Sequence, residues 1–291
     1  MQKTPALALV VALQTFAALS VVGQESRPAA WHDRVAVIGW SLALGFGTDQ
    51  EFGANVPLSL VLDQMIAAPH TAVSVDAGGD FFGDALGSGA KQIDAARKKK
   101  PTAVVAVDFP FWFLYGMSLT DRQRLDRLDR GLKLLDQFGS IPIVIGDVPD
   151  LDGEQSGLFS TQGVFRLDGS LLDAAGIRIR AFAKARPNVI LVPLRAWSDS
   201  IRADKGTKVG TISVPAGSRH MLMQEDGLHP KFPGLCVIAA AVLEALRSAR
   251  PETHPAAVVP DPLPLIKKAV ELIRSRTKAP APHRTPAPRT R

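Results

Sequence analysis

Apolar and polar positions fall into alternating blocks along most of this chain. Five short runs, Arg34–Gly39, Thr71–Gly78, Thr102–Phe109, Ile141–Val148 and Asn188–Leu194, are rich in Val and Ile and read as continuous apolar stretches. Strands without a polar face are covered on both sides, which is the habit of parallel sheets. Between the runs lie segments of helical periodicity: Pro57–Ala68, Gly89–Lys100, Asp121–Phe138 and Leu171–Ala185, with a last one at Gly234–Arg250. In Asp121–Phe138 the leucines at 125, 128, 132 and 135 share one helical face, charges occupy the other, and Thr120 supplies the N-cap. Strands alternating with helices predict an α/β fold, a three-layer α/β/α sandwich around a five-stranded parallel sheet. Sites in such sheets form beyond the carboxyl ends of the strands. Weight therefore falls on the polar residues that follow the runs: Ser41, Asp76, Asp108 and Asp147.

Composition alters the picture mainly at the two ends. The opening "MQKTPALALVVALQTFAALSVVGQES" carries Lys3 and then an apolar run ending in small residues. It reads as a signal peptide over residues 1–23, with a retained N-terminal anchor as the alternative, and the implied location is secreted or periplasmic. No later stretch reads as an uninterrupted apolar span of bilayer length, so no transmembrane segment is expected in the mature chain. The net charge of +6 comes from the other end. From Pro251 onward there are eight Lys or Arg against three Asp or Glu, which leaves twenty-six against twenty-five before it. The body of the protein thus has no global electrostatic reason to bind nucleic acid. Three regions result: the leader, a domain over residues 32–250, and a tail over 251–291. In the tail, "PLIKKAVELIRSR" fits an amphipathic helix and the Pro-rich basic end fits a solvated segment able to contact an anionic surface. The lone Cys236 sits in an apolar run, which excludes an intrachain disulfide and cysteine-pair zinc sites.

Two stretches carry candidate chemistry. In "VAVIGWSLALGFG", Val35–Gly47, a serine stands where an apolar strand runs out into glycine. Ser41 is either a nucleophile at the sheet rim or a turn serine bonding nearby backbone. In "QEDGLHPKFPGLCVIAAAVLEAL", Asp226 precedes His229 by three residues, in a loop bounded by Gly and Pro just before the last helix. A carboxylate at that spacing can accept the Nδ1 proton and leave Nε2 free as a general base; the plainer reading is a helix-entry loop. "FPFWFLYG", Phe109–Gly116, is either the wall of a site or core.

Together "GWSL" at Gly39–Leu42 and "DGLHP" at Asp226–Pro230 resemble the SGNH (GDSL-type) hydrolases, across roughly Arg34–Arg250. The resemblance implies a flavodoxin-like fold and hydrolysis of a carboxylic ester, on an acyl lipid or an O-acylated carbohydrate, small or polymer-linked. It implies a triad of Ser41, His229 and Asp226, an oxyanion hole from Ser41, Gly79 and the position of Asp108, and no cofactor or metal. Two departures stand out: Trp40 replaces the Asp of Gly-Asp-Ser-Leu, and Asp108 stands where the family uses an amide-donating Asn. A carboxylate there would repel an oxyanion, and losing one such donor typically costs about a hundred- to thousandfold in rate. These departures favour, as an alternative, a catalytically impaired binding module for a glycan or acyl ligand. A metal cluster of Asp76, Asp108 and Asp147 is a third reading.

Overall fold

The parallel sheet is built from five strands: β1 (Arg34–Val37), β2 (Thr71–Val75), β3 (Ala103–Ala106), β4 (Ile143–Gly146) and β5 (Val189–Val192). Their order is β2-β1-β3-β4-β5, with Val35 opposite Ala103, Val104 opposite Ile143, and Ile143 opposite Val189. This is the flavodoxin-like doubly wound order, whose winding reverses between β1 and β3. These features come from a computed structural model that describes residues 29–116, 118–150 and 167–251, with 263–264, 267–268 and 270–271 farther on. The expected leader over residues 1–23 and most of the tail lie outside the described residues.

Successive strand residues feed opposite layers, which is why the runs are apolar throughout. Val35, Val37, Ala103, Val105 and Val144 pack against α2 (Leu58–Met65) and α8 (Phe232–Ala249). Ala36, Ile38, Val104, Ala106 and Ile145 face α3 (Phe81–Lys98), α4 (Asp121–Leu134) and α5 (Gly169–Lys184). The chain from Trp31 onward forms one compact unit.

α4 follows its periodicity closely: Leu128, Leu132 and Leu135 are buried, and Thr120 and Gln123 form a reciprocal capping box. Its last expected turn tightens into a 3₁₀ segment, Leu135–Phe138. α3 begins eight residues earlier than the pattern from Gly89 predicts, because two aspartates cap it in series. Asp80 accepts from the Gly83 amide at 2.7 Å and Asp84, at a break in the helix, from the Gly87 amide at 2.8 Å. The aromatic run forms a 3₁₀ turn, Phe111–Leu114, whose Phe113 enters between α3 and α4. A Cβ on Gly89 or Gly131 would lie 2.9 or 2.5 Å from that ring, so both helices have glycine where it passes.

By length and composition α8 does suffice to cross a membrane, contrary to the expectation from its sequence. Here its apolar content is spent on the core, with Phe232, Leu235, Ala239, Val242, Leu243 and Leu246 buried. Of the tail, Leu263 and Val270 pack against the same cluster, which docks that stretch on the domain. Further elements that the pattern does not announce are α1 (Asp49–Phe52), α6 (Leu194–Arg202), a hairpin of β6 (Thr207–Val209) and β7 (Ile212–Val214), and α7 (Arg219–Leu222). α6 and the hairpin become walls of the site.

Candidate active site

β1 and β3, the strands at the winding reversal, send two loops to one place. Beyond β1, Gly39 turns the chain at a φ of 140° and its amide donates to the Gln92 side chain at 2.9 Å. Gln92, buried on α3, returns its own N–H groups to the carbonyls of Gly39 at 2.8 Å and Gly78 at 2.5 Å. A Cβ at Gly39 would stand 1.9 Å from Asp108 Oδ1, so only glycine allows the β3 loop this near.

Asp108 is buried, and its Oδ2 accepts from the amides of Trp40 and Leu42, each at 3.0 Å, and from the Trp112 indole at 3.1 Å. The two amides that flank Ser41 are thereby held by one carboxylate, while the Ser41 amide donates to no described group. Burial pushes the Asp108 carboxyl above the ordinary carboxylate range, although the Trp112, Trp40, Leu42 and Ala43 N–H groups act against it. The structure thus shows Asp108 accepting hydrogen bonds in a clamp around the serine turn, where the resemblance implies a donor. Trp40, in place of the family's Asp, sets its ring edgewise against Trp112 and Phe82, at centroid distances of 4.5 and 5.0 Å.

A third loop reaches the site from the end of the domain. The chain pairs Met223 with Pro230, and the Gln224 amide donates to the His229 carbonyl at 2.9 Å. Inside this narrow turn Asp226 Oδ1 accepts the amides of Leu228 and His229, each at 3.0 Å, and Oδ2 accepts from His229 Nδ1 at 2.5 Å. Burial raises the Asp226 pKa, but the ring hydrogen bond, the His229 charge and both amides outweigh it and hold the carboxyl below its usual range. The other ring nitrogen, Nε2, is buried and has no hydrogen-bond partner. The Phe46 ring rests against the imidazole at 4.8 Å.

Gln224 ties the two loops together. Its Nε2 donates to the Phe46 carbonyl at 2.8 Å and to the Pro230 carbonyl at 3.0 Å, joining the segment after Ser41 to the segment bearing His229. A Cβ on Gly47 would come within 2.2 Å of this side chain. No local pattern marks Gln224, because both partners are backbone carbonyls and one lies 178 positions away.

Ser41, Asp108 and His229 all line one cavity. Phe111 and Trp112 also line it while the rest of the aromatic run is buried, so that run serves both as wall and as core. Ser41 and His229 are not hydrogen-bonded to each other. Gly79 is not among the lining residues. It lines a separate hollow with Asp76, Ser88 and Gln92, because Gly78 donates to the Gly39 carbonyl at 3.0 Å and the chain turns at once into the Asp80 cap of α3. The remaining aspartates serve apart from one another: Asp76 pairs with Lys99 at 2.6 Å, and Asp147 accepts the Arg195 amide at 2.7 Å. Among the described residues no group of three or more His, Cys, Asp or Glu converges as for a metal ion. His220 lines a separate open hollow with Gln224 and Asp226.

No protein-family model matches the sequence, and no curated protein matches it. Solved structures similar to it include a lipase/acylhydrolase from Enterococcus faecalis, at 15% identity and a TM-score of 0.48, covering 76% of this chain and 97% of that one. A GDSL-like lipase from Bacteroides thetaiotaomicron aligns at 14% identity and a TM-score of 0.43, over 81% and 97% of the two chains. The C-terminal catalytic domain of a peptidoglycan O-acetyltransferase from Streptococcus pneumoniae does so at 14% and 0.40, over 76% and 97%.

Proposed function

We propose that this protein is a serine hydrolase of carboxylic esters, with Ser41 as nucleophile, His229 as general base and acid, and Asp226 as the group that orients the imidazole. The observation that carries this reading is a buried, unpartnered Nε2 on a histidine fixed through Nδ1 by a carboxylate, in the cavity that Ser41 lines. In the first half-reaction Nε2 takes the proton from Oγ as Oγ bonds to the ester carbonyl carbon. Collapse breaks the bond to the alcohol oxygen, which receives that proton from His229. In the second, water adds to the acyl carbon, gives its proton to Nε2, and the acid leaves as Ser41 recovers its hydrogen. The free Ser41 amide, held between two clamped neighbours, supplies an oxyanion donor. The second reading, a binding module, is favoured by the Asp108 carboxylate, which supplies no donor when ionised.

Initial rates on p-nitrophenyl acetate separate the two. Ser41→Ala and His229→Ala are each expected to reduce kcat by about a thousandfold or more. A folded wild-type chain that turns over neither this nor any longer-chain aryl ester, or turnover that survives Ser41→Ala, contradicts the hydrolase.

A further inference from the structure

Beyond its polar end at Ser41, Asp108 and His229, the cavity is mostly apolar, with Ser198 a further polar side chain on its wall. The cavity is partly open to solvent. One wall is α6, where Leu194, Trp197 and Ile201 recur at helical spacing toward the cavity while Arg195, Asp199 and Arg202 pair among themselves and with Asp173. Facing it, α8 contributes Val237 and Ile238, and Val209 comes from the hairpin. Ile201, Val237 and Ile238 are only half-buried. The core packs against them but leaves part of their apolar surface open, in the same hollow as the nucleophile. The neighbouring hollow that reaches Asp226 mixes Phe46, Met221 and Leu222 with the carboxylates Asp49, Glu51 and Glu225.

We infer that this apolar cavity receives the acyl side of the ester, that the acyl group is a hydrocarbon chain longer than acetyl, and that Ile201 and Ile238 set its length. The inference rests on Ser41 being the nucleophile. An acyl group bonded to Oγ must stay beside Ser41 until water releases it, so its chain has to occupy space that Ser41 borders. Only acetyl could do without the α6–α8 gap, and an acetyl-specific site would leave that apolar surface wet without gain. Each methylene that the cavity withdraws from water raises kcat/KM by about fourfold (~0.8 kcal/mol).

The test holds the p-nitrophenolate leaving group fixed and compares acetate, butyrate, hexanoate and octanoate. The kcat/KM is expected to climb at least tenfold from acetate to hexanoate. Ile238→Trp, which fills the gap, should cut the hexanoate-to-acetate ratio at least tenfold, with thermal unfolding confirming a folded chain. Ile201→Ala, which enlarges it, should move the optimum toward longer chains and keeps the test decisive should the tryptophan variant not fold. A flat or acetate-preferring profile that still depends on Ser41 overturns the inference and leaves the hydrolase intact. Turnover that survives Ser41→Ala, or none on any ester, overturns the hydrolase and the inference with it.

Discussion

Around Ser41, single hydrogen bonds decide what the hydroxyl can do. Asp108 has one oxygen occupied by three N–H groups, and an asparagine can accept the same three through its carbonyl while placing an NH₂ where Oδ1 now lies. Asp108→Asn should therefore keep the turn, remove a negative charge from beside the developing oxyanion, and raise kcat on an aryl ester by up to about tenfold. A tenfold fall would show that the acid itself is required. The same variant reports on stability. Burial raises the Asp108 pKa in the folded state, so the native protein holds that proton more tightly than the unfolded chain does. The wild type should gain stability as pH falls through the raised value toward the ordinary aspartate range of about 3.9. That gain is lost again as pH rises. The uncharged variant lacks this dependence, so its Tm should exceed the wild-type Tm at pH 8 and the gap should narrow on acidification. An unchanged Tm difference between pH 8 and the ordinary aspartate range of about 3.9 would mean the carboxyl does not titrate as described.

The elements divide into those that sequence pattern announces and those that it hides. The five strands and α4 were legible because both-face burial and a capped 3.6-residue repeat leave local marks, as Leu128, Leu132 and Thr120 show. The first turns of α3 were not, since Gly83 and Gly87 argue against a helix until Asp80 and Asp84 are seen to cap them. The three-residue strands of the hairpin are too short for periodicity to register, and α6, whose Leu194, Trp197 and Ile201 share one face, follows so directly on the run to Leu194 that it is not set apart from it, although both line the cavity. At the site, the Asp226–His229 pair was legible because its geometry is local. The clamp by Asp108 and the tie by Gln224 were not, since both join backbone groups far apart in the chain. Gln224 offers a test at this level. Gln224→Ala breaks the one side-chain link from the His229 loop to the Phe46 carbonyl, and is expected to lower kcat about tenfold while costing roughly 1–2 kcal/mol in stability. Urea unfolding together with kcat checks both; unchanged kcat with lowered stability would make the tie structural only.

Across the molecule, one sheet and two apolar layers fix where the ends of β1, β3 and α8 meet, and Leu263 and Val270 add to the layer beside α8. Val270 is 3% exposed in that layer, near Phe52 and Phe232, so Val270→Asp should cost about 1–3 kcal/mol, whereas exposed Lys267→Asp should cost little. Equal effects in urea unfolding would show that the tail does not dock. Everything proposed about function depends on the sheet bringing Ser41 and His229 to one cavity as a working pair. The direct measurement is covalent labelling of the whole protein by a fluorophosphonate, with the adduct located by peptide mass spectrometry. The account predicts a single adduct on Ser41, stoichiometric in the wild type and slowed at least a hundredfold in His229→Ala. An adduct on another residue, or Ser41 labelling that proceeds equally well without the imidazole, would contradict it.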